Sequence, residues 1–295
     1  MHVGEALIAH ARAIAKRSIV VVGTAKNVGK TVTVTAMAEA LERRAEAFGL
    51  CSIGHDGESL DVLEGTAKPR VFLRAGAFFV TARALLPAHP ATEILEMPGE
   101  DSALGPIVVA RVRTAGFFEI AGPPSAAALR RMIQRLFAHG AVTVLVDGAI
   151  DRIAAVRSED AIVIATGAAS GATPQSAARE AQALSECLRL PVVDESRAAL
   201  ELDGALTASM VTQFLRAGER RQIVVRDATR IVAAGRSVAG VARGLDLRCE
   251  RSLHAVACTV CPAAPSRSFE PREFLRTVAG AVRLPCYDVY AGAAA

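Results

Sequence analysis

The chain has 295 residues, of which 52% are hydrophobic, and its formal net charge at pH 7 is +4. A chain of this size and composition can bury a large core, which argues against intrinsic disorder as its main character. The basic residues are scattered among acidic ones without a long run of like charge, so nothing marks a surface for nucleic acid or for a membrane. Such a chain forms one large domain or two modest ones, and we interpret residues 1–295 as a single domain.

The first residues, "MHVGEALIAHARAIAKR", predict an amphipathic helix rather than a signal peptide. Leu7, Ile8, Ala11 and Ile14 fall on one side of that helix. The uninterrupted apolar core and the small-residue cleavage site of a signal peptide are missing, and no later segment is apolar over the length of a membrane span. We therefore expect a cytoplasmic protein without a membrane or nucleic-acid partner.

A strand, a glycine-bearing loop and a helix follow in "SIVVVGTAKNVGKTVT". Ser18–Val22 is an apolar strand, and a helix over Lys30–Arg44 carries a buried stripe of Val34, Met37, Ala38 and Leu41. This order is that of a phosphate-binding P-loop, G-x-x-x-x-G-K-[ST]. Five residues separate Gly23 from Gly29, one more than the pattern allows, whereas Gly29-Lys30-Thr31 fits it.

The loop residues have the chemistry that a triphosphate needs. Backbone N–H groups around small residues, with the helix N-terminus behind them, bind an anion. Lys30 would reach the β- and γ-phosphates, and the Thr31 hydroxyl would ligate Mg²⁺. The alternative is an ordinary turn between strand and helix with Lys30 in solvent. We predict that the nucleotide, ATP or GTP, is bound by Gly23, Thr24, Ala25, Lys26, Asn27, Val28, Gly29, Lys30, Thr31 and Val32.

The next strand runs into "CSIGHDGESLD", where Asp56 is a candidate for holding the metal through water or for orienting the attacking water. Glu58 and Asp61 are alternatives for this role. The neighbouring His55 is better explained as a surface or packing residue than as a general base. Glycines on both sides of Asp56 would let the segment move when the γ-phosphate is lost. We therefore predict that Asp56 is catalytic, together with Lys30.

Residues 54–123 interrupt the alternation of strands and helices. The stretches "RVFLRAGAFFVTARALL" and "GPIVVARVRTAGFFEIAGPPS" are rich in glycine, proline and β-type residues, without a long helical pattern. We interpret them as a β-rich, antiparallel insertion after the second strand, with strands over Val71–Val80, Ile107–Val112 and Phe117–Ile120.

The strand that follows ends in an aspartate, as "AVTVLVD", which is the layout of a Walker B strand. Asp147 would then share Mg²⁺ with Thr31, because strand C-termini line the ligand crevice of an open α/β sheet. A strand-end aspartate that caps a turn is the alternative. Asp151 and Arg152 follow directly, and Arg152 either contacts phosphate or is solvated.

Residues 155–295 form a C-terminal α/β half. Its predicted strands alternate with helices over Pro174–Leu188, Leu206–Ala217 and Pro271–Val282, which indicates a doubly wound, mostly parallel sheet. Thr166, Gly167 and Asp194 end two of its strands at the same rim, where they contact base or ribose or simply form turns. The terminal "AGAAA" is expected to be a frayed tail.

Six cysteines in a chain without an export signal argue against a disulfide framework. Cys258 and Cys261 form a C-x-x-C with His254 and Cys249 upstream, which is compatible with a zinc or iron–sulfur site. The local text "LHAVACTVCPAAP" instead favours an apolar strand with buried cysteines, because a lone C-x-x-C lacks the second pair of a typical site.

The motif "GTAKNVGKT" resembles the loop of the dethiobiotin synthetase branch of P-loop NTPases, of the SIMIBI class, which also includes cobyrinate amidases and MinD-like ATPases. That branch accepts the extra loop residue. Ala25 stands where dethiobiotin synthetase has an aspartate, and "DGAIDR" replaces its later glycine-rich run. Lys26 lies four residues before Lys30, whereas the MinD signature lysine lies five before. The resemblance therefore implies the class rather than dethiobiotin synthesis.

A narrower resemblance covers more of the chain. The motifs "VGTAKNVGKT", "SIGHDGE", "GTAKPRVFL", "FFEIAGPPS", "VDGAIDR", "GALTASMV" and "VVRDATRI" are similar to the P-loop subunit of the reactivase of the cobalamin-dependent lysine 5,6-aminomutase. This resemblance implies NTP-driven release of damaged cobalamin, with the aminomutase and a second ATPase subunit as partners. By analogy with the class, a homodimer over the nucleotide is an open alternative.

Three functions remain open at this point. The first is a Mg²⁺-dependent nucleoside triphosphatase that acts on a partner protein. The second is a ligase or amidase that activates a carboxylate as an acyl phosphate, with Arg70, Arg74 and Arg83 of the insertion binding the substrate. The third is a nucleotide-binding protein without turnover.

Overall fold

The computed structural model describes residues 2–52, 70–87, 91–148, 156–232 and 244–295. The chain is α/β and forms two compact units. The first unit comprises Met1–Val22 and Lys30–Ala155, and the second comprises Gly23–Gly29 and Val156–Ala295. The single domain expected from the sequence stays a prediction.

Six α-helices lie within the described residues, and their ends follow from local sequence signals. Thr173 caps its helix by accepting a hydrogen bond from the Ser176 N–H, with Pro174 at the first position, and Glu270 caps another helix that begins with Pro271. The helices are α1 (Val3–Ala13), α2 (Lys30–Arg43), α3 (Ala126–Ala138), α4 (Pro174–Leu188), α5 (Ala208–Ala217) and α6 (Pro271–Val282).

The N-terminal helix agrees in part with its predicted apolar face. Leu7, Ile8 and Ala11 are buried on α1, which packs against α2. Ile14 lies beyond the end of α1 and is 39% exposed, so the expectation that it shares one side of the helix with these residues was wrong. Within the described part of the chain, no helix has both the length and the apolar character required to cross a bilayer.

The first unit contains a mostly parallel set of strands in the order β1-β9-β2-β4-β7-β5, in which β1, β9, β2 and β4 are parallel neighbours. The apolar, β-branched text of β1 is buried along its whole length, as expected for a strand covered on both faces. The strands of this unit are β1 (Ser18–Gly23), β2 (Phe48–Ser52), β3 (Arg70–Leu73), β4 (Phe78–Ala82), β5 (Thr92–Glu96), β6 (Asp101–Ser102), β7 (Gly105–Val112), β8 (Gly116–Glu119) and β9 (Thr143–Asp147).

The described part of the insertion is β-rich and largely antiparallel, as predicted. β7 pairs antiparallel with β4, β5 and β6, and β3 pairs antiparallel with β8. The single strand expected over Val71–Val80 was wrong, because a turn that contains Gly76 separates β3 from β4. Strands β5 and β6 were not predicted.

The second unit contains the parallel strands β10, β16 and β19 as neighbours, and a smaller parallel sheet in the order β11-β13-β15. Its strands are β10 (Asp160–Gly167), β11 (Ala199–Glu201), β12 (Leu206–Thr207), β13 (Gln222–Val225), β14 (Ile231–Val232), β15 (Asp246–Cys249), β16 (His254–Cys261), β17 (Ala263–Ala264), β18 (Arg267–Ser268), β19 (Cys286–Asp288) and β20 (Ala293–Ala294).

Two expectations for the second unit were wrong. The strand that the sequence predicts before Asp194, over Pro191–Val193, is not formed, since Val192 makes only an isolated bridge to Cys249. The terminal "AGAAA" is not frayed, because β20 pairs antiparallel with β19 and the Ala295 N–H donates to the Cys286 carbonyl at 2.9 Å.

Candidate functional site

The carboxyl ends of two neighbouring strands bring the predicted metal ligands together. β1 and β9 are parallel, with Val21 opposite Asp147 in the register. The Thr31 hydroxyl, at the start of α2, donates a hydrogen bond to Asp147 Oδ2 at 2.9 Å. Residues 116 positions apart in the sequence therefore meet at one edge of the sheet.

Gly148 allows β9 to end close to β1. Its N–H donates to the Val21 carbonyl oxygen at 3.0 Å, and a Cβ atom built on Gly148 would lie 2.4 Å from that oxygen. A side chain at this position would clash with backbone, so the glycine after the aspartate is a steric requirement. The dipeptide Asp147-Gly148 thus positions the carboxylate next to Thr31.

The environment of Asp147 favours its neutral form. Burial raises the pKa of the Asp147 carboxyl, although the Thr31 hydrogen bond and the positive charge of Lys30 act in the opposite direction. A divalent cation would favour the ionised form instead. A carboxylate and a hydroxyl are oxygen donors of the kind that Mg²⁺ takes from a protein when phosphates supply further ligands. The two residues therefore fit a Mg²⁺ ion.

Two residues of the loop that precedes α2 have left-handed backbone conformation. Asn27 and Gly29 have positive φ angles of 58° and 82°, and Val28 between them is buried. Gly29 is close to Cys261, whose Cβ atom would lie 3.3 Å from a Cβ built on the glycine. Left-handed backbone conformation and little space together favour glycine there. Of the other predicted loop residues, Lys26 and Val32 are exposed.

Thr24, a loop residue that belongs to the second unit, is hydrogen-bonded to strand β10 and to the turn that follows it. The Thr24 N–H donates to the Ala165 carbonyl at 3.0 Å, and Thr24 Oγ1 lies 3.0 Å from Thr166 Oγ1 and 2.5 Å from Ser170 Oγ. Thr166 was predicted at this rim, whereas Ser170 was missed. Ser170 ends the short 3₁₀ turn Ala168–Ser170 that follows β10, and no sequence signal singles it out.

Most of the remaining predicted site residues lie outside the described residues, and Asp194 makes only local contacts. His55, Asp56, Glu58 and Asp61 belong to residues 53–69, and Asp151 and Arg152 belong to residues 149–155, which the structure does not describe. Asp194 accepts hydrogen bonds from the backbone and the hydroxyl of Ser196, which lower the pKa of its carboxyl. It therefore forms a local turn, the simpler of its two interpretations.

The arginines proposed as substrate ligands differ in their surroundings. Arg74 forms an ion pair with Glu42 on α2 at 3.3 Å, and Arg70 lies opposite Glu119 in the β3–β8 pair. Arg83 is in a short 3₁₀ turn after β4. None of these observations assigns a substrate.

The cysteines of the C-x-x-C motif lie on one buried strand, as the preferred interpretation expected. Cys258 is opposite Cys286 in the β16–β19 register, and a hydrogen bond with Cys286, together with burial, raises the pKa of the Cys258 thiol. Among the residues that the structure describes, no group of three or more His, Cys, Asp or Glu side chains is placed to hold a metal ion.

Comparison with protein-family models, with curated proteins and with solved structures finds no match to this chain.

Proposed function

We propose that the chain is a Mg²⁺-dependent nucleoside triphosphatase of the P-loop type, with a doubly wound, mostly parallel sheet. The observation that carries this proposal is the 2.9 Å hydrogen bond between Thr31 and Asp147, which joins the last residue of the G-K-T motif to a strand-end carboxylate. A P-loop hydroxyl and a Walker B aspartate have this relation in proteins that share Mg²⁺ between them. The glycine at position 148 and the positive φ of Gly29 support the same arrangement.

The chain's residues would act by positioning and by charge. Backbone N–H groups of the loop Gly23–Gly29, other than that of Thr24, would donate to phosphate oxygens, and the Lys30 ammonium would offset the negative charge of the β- and γ-phosphates. Thr31 and Asp147 would hold Mg²⁺, which when bound would neutralise negative charge on the β- and γ-phosphates. Water attacks the γ-phosphorus, the bond to the β–γ bridging oxygen breaks, and the nucleoside diphosphate and phosphate leave. Asp56, outside the described residues, stays our candidate for orienting that water.

The test measures two quantities in the presence of Mg²⁺, the affinity for ATP and GTP and the rate of phosphate release. Both are compared between the wild type and two variants. Lys30→Ala should lower triphosphate affinity by more than about 100-fold, since several charge-assisted hydrogen bonds are lost. Lys16→Ala, which removes the same charge outside the loop, should leave both affinity and turnover unchanged. Equal triphosphate binding by the wild type and Lys30→Ala would overturn the proposal.

We further propose that the partner is a cobalamin-dependent aminomutase, on the support of the reactivase-like motifs. A cobalamin-inactivated aminomutase, added together with a second reactivase subunit, should accelerate phosphate release by this chain. The aminomutase itself should regain its own turnover. The Lys30→Ala variant should restore neither. Nucleotide hydrolysis that proceeds at the same rate with and without the aminomutase would contradict this partner but not the triphosphatase itself.

A further inference from the structure

The end of the chain forms a hairpin with a well-defined turn in the second unit. Strands β19 and β20 are antiparallel, and residues 289–292 connect them. The buried Asp288 carboxylate accepts hydrogen bonds from the N–H groups of Tyr290 at 2.9 Å and of Ala291 at 3.0 Å. The Gly292 N–H donates to the Asp288 carbonyl at 2.9 Å. These bonds fix the backbone from which the Tyr290 side chain projects.

The Tyr290 side chain lies against the loop Gly23–Gly29. A Cβ atom built on Gly29 would be 3.6 Å from the Tyr290 hydroxyl oxygen and 3.7 Å from its Cε2 atom. Tyr290 is nevertheless 57% exposed, the second most exposed of the large hydrophobic side chains described. An aromatic ring with its hydroxyl at the loop and most of its surface in solvent is available to a molecule bound there.

The chemistry of the hydroxyl suits an anionic ligand. Burial of the hydroxyl raises the pKa of Tyr290 above its usual range, and a hydrogen bond with Cys261 and the charge of Asp288 act in the same direction. The phenol is therefore neutral at physiological pH and carries a proton that it can donate. A thiol is a weak hydrogen-bond partner, so a phosphate oxygen would compete well with Cys261 for that proton.

We propose that Tyr290 is a binding residue of the nucleotide site, whose hydroxyl donates a hydrogen bond to the phosphate chain held by Gly23–Gly29. The inference rests on the proposed function, because it takes a triphosphate as the ligand of the loop. It adds a donor from the far end of the sequence to the donors of the loop itself.

The experiment uses calorimetric titration with Mg²⁺–ATP and with Mg²⁺–tripolyphosphate, which has the phosphates without a base or ribose. Tyr290→Phe keeps the ring and removes the hydroxyl, and it should weaken binding of both ligands about tenfold, as expected for a hydrogen bond to a charged group. Tyr287→Phe is the matched control, since this tyrosine is buried on β19. It should bind both ligands like the wild type.

A second measurement does not depend on removing the hydroxyl. The chain has no tryptophan and two tyrosines, so Tyr290 is the only tyrosine of the Tyr287→Phe variant. Tripolyphosphate does not absorb in the near ultraviolet, and its binding should change the tyrosine emission of that variant with the midpoint found by calorimetry. An unchanged emission at saturation would count against contact with Tyr290.

The outcomes separate the two proposals. If the wild type binds neither ligand, the proposed function and the Tyr290 inference both fail. If the wild type binds both and Lys30→Ala does not, while Tyr290→Phe has unchanged affinity for tripolyphosphate, only the Tyr290 inference fails. Loss of ATP affinity in Tyr290→Leu with unchanged tripolyphosphate affinity would also overturn it, because the ring would then contact the nucleoside rather than the phosphates.

Discussion

Two aspartates follow apolar parallel strands in similar sequence contexts, yet their surroundings differ. Asp147 ends β9 in "VTVLVD", and Asp227 follows β13 in "IVVRD". Asp227 caps a 3₁₀ turn: its carboxylate accepts from the N–H of Thr229 at 2.9 Å, from the Thr229 hydroxyl and from Arg226 Nε at 3.1 Å. Asp147 accepts from the hydroxyl of Thr31, which comes from a distant part of the chain.

The two carboxyl groups consequently differ in the sign of their pKa shifts. Burial raises the pKa of Asp147 more than Thr31 and Lys30 lower it. Burial also raises the pKa of Asp227, but the hydrogen bonds from Thr229 and Arg226 and the charge of Arg226 outweigh it, so the net pKa is lowered. The comparison teaches that several local donors stabilise the ionised form of Asp227 in its own turn, whereas a single hydroxyl donor and the charge of Lys30 do not offset the desolvation of Asp147.

The largest expected effect that tests this comparison comes from Asp147→Asn. The amide keeps the shape of the side chain but removes the charge that would bind Mg²⁺, so Mg²⁺-dependent phosphate release should fall by more than about 100-fold. In the absence of metal, the free energy of unfolding should stay the same or rise, because the variant lacks the carboxyl group whose ionised form desolvation disfavours. Phosphate release assays and urea denaturation measure the two quantities. A variant that hydrolyses ATP normally would show that Asp147 is only a turn residue.

A smaller effect, and on a different quantity, is expected for Asp227→Ala. The change leaves the donors of Thr229 and Arg226 without their acceptor, which should lower the free energy of unfolding by about 2–3 kcal/mol. The rate of phosphate release from properly folded protein should not change. Asp203→Ala removes the same charge from an exposed position and should have little effect on stability. Loss of hydrolysis at wild-type stability in Asp227→Ala would reverse the roles of the two aspartates.

The sequence alone predicts much of the fold but cannot separate these two aspartates. Strong local signals set the ends of α4 and α6, where proline at the first position and a capping residue before it agree with the apolar stripe. The α/β class followed from the alternation of strand and helix patterns, and the β-rich insertion followed from the interruption of that alternation. Both aspartates stand at or just after the end of an apolar strand, however, and only the three-dimensional neighbours of each carboxylate distinguish them.

The candidate site was predictable where a local sequence pattern marks the residue, and not where only the strand order brings the residue to the loop. Gly29-Lys30-Thr31 is a local motif, and Asp147 was proposed to share a metal with Thr31, which the structure places within hydrogen-bond distance of it. Ser170 and Tyr290 approach the loop through the order of the strands in the second unit, and their own sequence neighbourhoods have no distinctive pattern. The β19–β20 hairpin was missed because β20 has only two residues and lies in the alanine-rich tail, which was expected to fray.

The smallest expected effect is a difference in how the two aspartates make stability depend on pH. Asp147 has a folded-state pKa above its unfolded value, so its contribution to stability is fully present below the unfolded pKa and is lost as the pH rises through the folded pKa. Asp227 has a lowered folded-state pKa, so its contribution is present above the unfolded pKa and is lost as the pH falls through the folded pKa. With a chelator present, urea denaturation at a series of pH values should therefore show opposite trends for the two aspartates.

In this experiment, the stability of the wild type relative to Asp147→Asn should fall as the pH rises, and its stability relative to Asp227→Asn should fall as the pH decreases. Parallel trends for the two variants would mean that Asp147, like Asp227, is stabilised in its ionised form by the chain alone.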